Sequence, residues 1–144
     1  MNVLFVCTGN TCRSPMAEGL FKKIIEDKKI SGINCSSAGL FAMTGDDVAP
    51  NAVKALERFG CDISSHRARR ITAYILDETD KFVCMTKEHA ASLSLYVPSE
   101  KIIILGNGIA DPYGGNLETY LTCANAIRTA LNEQFDEITA EDCK

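Results

Sequence analysis

Short apolar runs recur along the chain and are separated by longer stretches of mixed polarity. Residues 2–7, NVLFVC, form a run typical of a strand that is buried on both faces. The same pattern predicts strands over 33–38, 81–86 and 101–105. No segment approaches the ~20 apolar residues needed to span a bilayer. The pattern therefore predicts short, buried strands.

Amphipathic stretches between these runs predict helices. The first has Pro15 near its first turn, where a missing N–H costs no hydrogen bond. A second fits 50–60, which begins with a proline and ends with a glycine, and a third fits 87–95. The last is a long C-terminal helix. Its apolar face is formed by Leu117, Tyr120, Leu121, Ala124, Ile127, Leu131, Phe135 and Ile138.

Strands that alternate with helices imply an α/β fold, with a parallel sheet covered by helices on both faces. Such sheets bind ligands beyond the carboxyl ends of the strands. Two unusual loops fall there, CTGNTCRS at 7–14 and GNGIADPYGGN at 106–116. Because no linker or repeat interrupts the pattern, all 144 residues are predicted to form one domain.

The composition is that of an ordinary globular protein, with 46% hydrophobic and 24% charged residues. A net charge of −4 argues against a nucleic-acid partner, because phosphate backbones are bound by clusters of Lys and Arg. One basic cluster, HRARR at 66–70, is either a solvated loop edge or a rim that attracts an anionic substrate. Without a basic leader or a long apolar run, we expect a cytoplasmic protein with no membrane partner. We also expect a monomer.

The seven cysteines do not suggest a disulfide framework, because their number is odd and they are scattered. They are Cys7, Cys12, Cys35, Cys61, Cys84, Cys123 and Cys143. This usage favours a reducing compartment. The chain has no CxxC pair, and its two histidines, His66 and His89, lie far from any paired cysteines. We therefore expect no metal and no cofactor.

The loop after the first strand has the ingredients of an anion cradle. Between a buried strand and a helix, backbone N–H groups converge on one point, and the helix dipole adds positive potential. Cys7 at its base would be held as a thiolate and could attack a phosphoryl group. Arg13 would bind the phosphoryl oxygens, and Ser14 would stabilise the departing sulfur. Gly9 permits close backbone approach, and Asn10 tolerates positive φ.

Phosphoryl transfer also needs a proton donor for the leaving group and then a base for water. Asp111 is the best candidate, because it follows the last strand at the same edge of the sheet. Pro112, Gly114 and Gly115 could shape the loop that presents it. An Asp-Pro pair alone is an ordinary turn, so Asp111 is a candidate only together with the cysteine loop.

Five segments together resemble the low-molecular-weight protein tyrosine phosphatase family. They are VCTGNTCRSPMAE near the N-terminus, SSAG at 36–39, SSHRAR at 64–69, VCMTKEH at 83–89 and DPYGG at 111–115. Their order and spacing match the family over essentially the whole chain. The resemblance implies a three-layer sandwich with a central four-stranded parallel sheet, metal-free catalysis and a phosphocysteine intermediate.

The resemblance also implies roles for individual residues. Cys7 matches the nucleophile, and Arg13 matches the residue that clamps the phosphate. Ser14 matches the residue that stabilises the leaving sulfur, and Asp111 matches the general acid and base. The residues implied to bind phosphate or substrate are Thr8, Gly9, Asn10, Thr11, Cys12 and Tyr113. Tyr113 either contacts the substrate or packs the loop. Ser37 and His66 match a hydrogen-bond network that holds the loop in shape, although His66 alone would suggest a structural or solvated histidine.

Two positions bear on the substrate. Tyrosine-directed relatives usually have a bulky aliphatic residue in place of Thr11 and a second aromatic in place of Gly114. Members resembling bacterial protein arginine phosphatases have threonine at the first position and DPFGG where this chain has DPYGG. A guanidinium gains from a hydroxyl and a carboxylate where a phenol needs apolar walls. We expect phosphorylated proteins as substrates and phosphoarginine as the target, with phosphotyrosine or a small phosphomonoester as the alternative.

Two other functions remain open. Thioredoxin-coupled arsenate reductases share the C-x4-C-R-S loop, but they need a further redox pair after the third strand, where this chain has only Cys84. A non-catalytic phosphoprotein-binding module is expected to lack the nucleophile or the acid, and this chain has both. Separately, Cys12 could capture an oxidised Cys7 as a reversible disulfide, or it could be a buried structural thiol.

Overall fold

A computed structural model describes residues 1–141, so Cys143 lies outside the described residues. Its elements are β1 (Asn2–Cys7), α1 (Arg13–Asp27), β2 (Asn34–Gly39), α2 (Pro50–Glu57), α3 (Ala73–Glu78), β3 (Lys81–Cys84), α4 (Lys87–Leu93), a 3-10 turn (Ser99–Lys101), β4 (Ile102–Ile104), α5 (Leu117–Glu133) and α6 (Phe135–Thr139). No helix within this part of the chain is both long and apolar enough to cross a membrane.

The strands form one parallel sheet in the order β2-β1-β3-β4. β1 pairs with β2 along its whole length, with Cys7 opposite Gly39. On its other side it pairs with β3, with Val6 opposite Cys84. The strand that follows β1 in sequence therefore lies on one side of it, and the two later strands, β3 and β4, lie on the other side. This reversal of strand order creates a crevice at the carboxyl end of β1, where ligands bind in open parallel sheets.

Alternate residues of β1 enter two different cores. Val3, Phe5 and Cys7 face the layer that contains α1, α2, α5 and α6. Leu4 and Val6 face the layer on the opposite side of the sheet, which contains α3 and α4. Burial on both faces explains why residues 3–7 of β1 are continuously apolar. The predicted three-layer α/β architecture is confirmed.

The prediction of one long C-terminal helix is wrong, because the helix breaks at Gln134. The Gln134 backbone lies at φ −100° and ψ 10°, between α5 and α6. Its side-chain amide donates to the carbonyl oxygen of Ile104 at 3.0 Å and accepts the N–H of Gly106 at 2.6 Å. These bonds tie the helix break to the end of β4.

The pattern did not predict α3 at all. It has only 6 residues, none of them fully buried, although Ile75 and Leu76 pack against the core. Its N-terminus is fixed by Thr72, which accepts the N–H of Ile75. Among the other differences, the strand predicted over 33–38 lies one residue later, at Asn34–Gly39, and the helix predicted over 50–60 stops at Glu57. The helix predicted over 87–95 stops at Leu93, and the strands predicted to reach residues 86 and 105 stop at Cys84 and Ile104.

Candidate active site

The loop between β1 and α1 lies at the carboxyl edge of the sheet. Cys7 is the last residue of β1, and Arg13 is the first residue of α1. Backbone bonds from the segment after β2 anchor the loop: the N–H of Leu40 donates to the Cys7 carbonyl, and the N–H of Phe41 donates to the Thr8 carbonyl, both at 3.0 Å. The predicted strand–loop–helix arrangement is present.

The Cys7 sulfur lies at the base of this loop. Cys7 is 3% exposed, and its Sγ is 2.8 Å from the Ser14 hydroxyl and 3.2 Å from the backbone N–H of Asn10, which donates to it. The side-chain nitrogen of Asn10, Nδ2, donates to the Ser14 hydroxyl oxygen at 2.8 Å. Because that oxygen already accepts from Asn10, the Ser14 hydrogen is available for the sulfur.

Burial is the largest influence on the Cys7 thiol and raises its pKa. Hydrogen bonds from Ser14, the backbone N–H of Asn10 and the positive charge of Arg13 act in the opposite direction. The sequence predicted a thiolate from those donors alone, since it does not show how deeply β1 buries the sulfur. The net direction is therefore opposite to the one that the donors alone predict, and these donors limit how far burial raises the pKa of Cys7.

Replacing Ser14 by alanine is expected to raise the pKa of Cys7 further, because it removes the 2.8 Å contact that lowers it. The rate of iodoacetamide alkylation measured against pH should show a midpoint at higher pH than in the wild type. We also expect kcat to fall roughly 10- to 100-fold, the effect of losing a hydrogen bond to a charged group. Ser94→Ala, in an exposed turn, is the control; an unchanged midpoint in Ser14→Ala would contradict this role.

Asn10 connects the loop to its surroundings through several groups. Its φ of 58° is in the left-handed region, which asparagine tolerates better than most residues. Its side-chain amide donates to the Ser37 hydroxyl at 3.0 Å, and its carbonyl oxygen accepts from His66 Nε2 at 3.0 Å. The structure thus brings together Asn10, Ser37 and His66, the residues assigned to the supporting network.

Two members of this network were missed by sequence reasoning. Glu18 of α1 accepts the Ser37 hydroxyl at 2.7 Å, and its carboxylate lies 4.0 Å from His66. The backbone N–H of Arg69 donates to the Asn10 side chain at 2.9 Å, and its guanidinium donates to the Ser37 carbonyl oxygen and the Ser36 hydroxyl. Arg69 is therefore a loop support within the HRARR segment.

Gly39, at the end of β2, explains the SSAG segment. A Cβ at this position would lie 2.5 Å from the carbonyl oxygen of Thr8 and 3.0 Å from the backbone nitrogen of Asn10. Only glycine lets the strand pass this close to the loop. Sequence inspection identified the segment but not this reason.

Arg13 links the two predicted loops. It is 7% exposed, and its guanidinium donates to the carbonyl oxygen of Ile109 at 2.8 Å. A second guanidinium nitrogen lies 3.7 Å from a carboxylate oxygen of Asp111, whose side chain is 55% exposed. Asp111 also accepts the N–H of Tyr113 at 3.1 Å, which shapes the turn. The predicted proximity of Asp111 to the cysteine loop is present.

A cavity of about 210 Å³ opens above the sulfur. It is lined by Cys7, Thr8, Gly9, Asn10, Thr11, Cys12, Arg13, Asp111 and Tyr113. Tyr113 is 80% exposed, so it borders the cavity mouth instead of packing the loop. A larger cavity of about 540 Å³, beside α1 and α5, contains neither the cysteine nor Asp111. The chemistry of the lining therefore identifies the smaller cavity as the candidate site.

The model of the family described as low molecular weight phosphotyrosine protein phosphatase matches residues 2–143. The chain belongs to this family. It is a family of cysteine-based protein phosphatases, which agrees with the cysteine, arginine and aspartate that meet in the cavity.

Relatives of both substrate classes in this family match at similar identity. The protein-arginine-phosphatase of Bacillus subtilis is 32% identical, with 92% of this chain and 93% of the relative covered. The low molecular weight protein-tyrosine-phosphatase Wzb of Escherichia coli strain K12 is 29% identical, with 97% of each covered. Identity alone therefore does not decide the substrate.

Solved structures confirm the family fold. A low molecular weight protein tyrosine phosphatase from T. tengcongensis superposes with a TM-score of 0.89 at 36% identity, covering 95% of this chain and 99% of that one. A mutant of the YwlE arginine phosphatase with a phosphorylated active site serine gives a TM-score of 0.89 at 30% identity, covering 98% and 97%.

His89 also reaches the loop, and sequence reasoning weighed it only as a metal ligand. Its Nε2 atom lies 2.8 Å from the Thr8 hydroxyl oxygen, although 81 positions separate the two residues. His89 is 5% exposed and lies on α4, directly after β3. The two residues meet because β3 lies beside β1 in the sheet, so that the segments following these strands are neighbours. The sequence alone does not show this strand order.

Proposed function

We propose that this phosphatase hydrolyses phosphoarginine in proteins through a phosphocysteine intermediate. The observation that carries the proposal is a pair of polar groups in the wall of the cavity above Cys7. Thr11 contributes a hydroxyl to that wall, and Asp111 contributes a half-exposed carboxylate. Tyr113, the one aromatic residue among the lining residues, is turned largely to solvent.

In the first step, the Cys7 thiolate attacks phosphorus in line with the bond to the leaving group. Backbone N–H groups of the loop and the Arg13 guanidinium hold the three non-bridging oxygens and stabilise their charge as the phosphoryl group flattens. The P–S bond forms while the P–N bond to the substrate guanidinium breaks. Asp111, in its acid form, gives its proton to the departing nitrogen.

In the second step, water attacks the phosphocysteine. Asp111, now a carboxylate, takes a proton from that water, the P–S bond breaks, and inorganic phosphate leaves. The Ser14 hydroxyl, at 2.8 Å, stabilises the negative charge that returns to the sulfur. Arg13 stays in place throughout, because its bond to the Ile109 carbonyl does not involve substrate.

Phosphoarginine and phosphotyrosine differ in their leaving groups, and the fit of the leaving group to the cavity determines which substrate is preferred. A guanidinium brings several N–H donors that need acceptors in a site shielded from water. Asp111 lies 3.7 Å from Arg13 at the edge of the phosphate site, and in its acid form it still has a carbonyl oxygen that can accept a substrate N–H. A phenol ring gains most from aromatic or aliphatic walls. The Thr11 hydroxyl and the Asp111 carboxyl group in this wall therefore favour arginine.

The test compares kcat/KM for phosphoarginine and phosphotyrosine in peptides of the same sequence. We expect the wild type to prefer phosphoarginine and Thr11→Ile to shift the ratio toward phosphotyrosine at least about tenfold, since it replaces a hydroxyl by an apolar wall. Thr129→Ile, on the exposed face of α5, is the matched control and should leave the ratio unchanged.

Two results would redirect the proposal. A wild-type preference for phosphotyrosine would make the chain a tyrosine phosphatase with the same catalytic loop. If Thr11→Ile still prefers phosphoarginine, Thr11 does not determine the substrate preference. Asp111 and the other residues of the cavity wall would then determine it.

The thiols bear on the arsenate-reductase alternative and on the cell compartment. Cys84, the cysteine nearest the expected redox pair, is fully buried, and burial raises its pKa to about 12. A thiol held in this form is a poor partner for disulfide exchange. Six cysteines in the described part of the chain are free, which suits the cytoplasmic location that we propose.

A further inference from the structure

His89 is a buried polar side chain that the proposed chemistry does not use. Its Nε2 atom is 2.8 Å from Thr8 Oγ1. Its Nδ1 atom is buried and has no hydrogen-bond partner among residues 1–141. Its backbone N–H donates to the Thr86 hydroxyl, which caps the first turn of α4. The imidazole is thus fixed at the helix start with one ring nitrogen facing the loop.

The unpartnered nitrogen identifies the tautomer of His89. Burial and the positive charge of Arg13 lower its pKa to about 4, so the ring is neutral at neutral pH and carries one N–H. A hydrogen on Nδ1 would be a buried donor without an acceptor, which proteins rarely tolerate. The hydrogen therefore lies on Nε2 and is donated to Thr8.

This direction of donation determines what the Thr8 hydroxyl can do. Its oxygen accepts from His89 with one lone pair, which leaves the other lone pair and its own hydrogen unused. Thr8 is exposed and lines the cavity together with Thr11 and Asp111. The free lone pair of the Thr8 hydroxyl oxygen therefore lies at the cavity wall, where the side chain of the substrate would bind.

We propose that His89 is a positioning residue for substrate selection, which orients the Thr8 hydroxyl so that its free lone pair accepts an N–H of the substrate guanidinium. The inference rests on the proposed function and extends it. Thr8, Thr11 and Asp111 would then present three acceptors to a planar group that carries several donors. An aromatic leaving group has no N–H for the fixed hydroxyl, and it covers that hydroxyl without a hydrogen bond.

The experiment measures kcat and KM of the purified full chain on the matched phosphoarginine and phosphotyrosine peptides. Thr8→Val removes the hydroxyl with little change in shape, and His89→Leu removes the donor. Each is expected to lower the ratio of kcat/KM for phosphoarginine over phosphotyrosine about tenfold, the effect of one hydrogen bond to a charged group. Thr8→Ser and His89→Gln, which keep the hydroxyl and a side-chain N–H, should restore most of the ratio.

The double variant separates positioning from a general structural role. If His89 acts through Thr8, adding His89→Leu to Thr8→Val should change the ratio by less than about twofold. Multiplying effects, or equal losses on both peptides, would overturn the inference, because a weakened loop harms both reactions alike. A wild type that does not hydrolyse phosphoarginine would instead refute the proposed function, and the two failures are thereby distinguished.

Discussion

Replacing Cys7 by alanine is expected to abolish turnover of every phosphorylated substrate, with kcat/KM reduced by about 10⁴-fold or more. The Cys7 sulfur is the group that receives the Ser14 and Asn10 hydrogen bonds at the base of the cavity. Cys12, the other thiol in the lining, cannot replace it, because its Sγ is held 3.3 Å from the Tyr120 hydroxyl. Steady-state rates with p-nitrophenyl phosphate and rapid-quench detection of a phosphoenzyme would measure both the loss and its cause.

Cys84→Ala is the matched control for this experiment. Cys84 is also a buried cysteine at the end of a strand, and it is paired with the neighbour of Cys7 in the sheet. It belongs to the opposite core, so its removal should affect thermal stability more than turnover. Comparable activity of Cys7→Ala and Cys84→Ala would rule out the phosphocysteine route.

The fold was predictable where burial leaves a local signal. Residues 3–7, VLFVC, are apolar without interruption because both faces of β1 are covered. The adjoining loop could be placed because the pattern shows where the strand ends and the helix begins. The break at Gln134 was not predictable. The apolar stripe continues across it, and the bonds that cause it come from β4, about thirty residues earlier.

The candidate catalytic set could be proposed from the sequence because its members lie in two short segments with distinctive chemistry. Cys7 and Arg13 are six positions apart, and Asp111 follows the last strand. Glu18 and Arg69 were not predictable, since one resembles a solvated residue on a helix face and the other part of a basic loop. Only tertiary packing brings both of them to Ser37.

The sequence pattern also does not show how deeply a functional side chain is buried. The donors around the sulfur could be inferred from the loop, but not the burial that opposes them and raises the pKa of Cys7. The same holds for His89, whose burial fixes its tautomer and so the direction of its bond to Thr8. The sequence identified Cys7 as a functional group but not His89, and for both side chains burial in the fold acts on the protonation.

Asp111→Asn is expected to reduce kcat by about 10²- to 10⁴-fold on phosphopeptides, the range for loss of a general acid and base. The substitution keeps the size of the side chain and one oxygen that can accept the N–H of Tyr113, so the turn should persist. Arg13 should also remain in place, because the Ile109 carbonyl holds it independently of the carboxylate. The loss therefore reports on the proton transfer and not on a collapsed loop.

The leaving group provides the decisive comparison for Asp111. p-Nitrophenolate leaves readily without a proton, whereas the nitrogen of arginine does not, so the first step should suffer much less with p-nitrophenyl phosphate. Single-turnover rates on both substrates measure that step separately from hydrolysis of the intermediate. Asp62→Asn, in an exposed turn, is the control. Equal first-step losses on both substrates would show that Asp111 positions the phosphoryl group through Arg13, and a raised KM with unchanged kcat would show that it only binds the guanidinium.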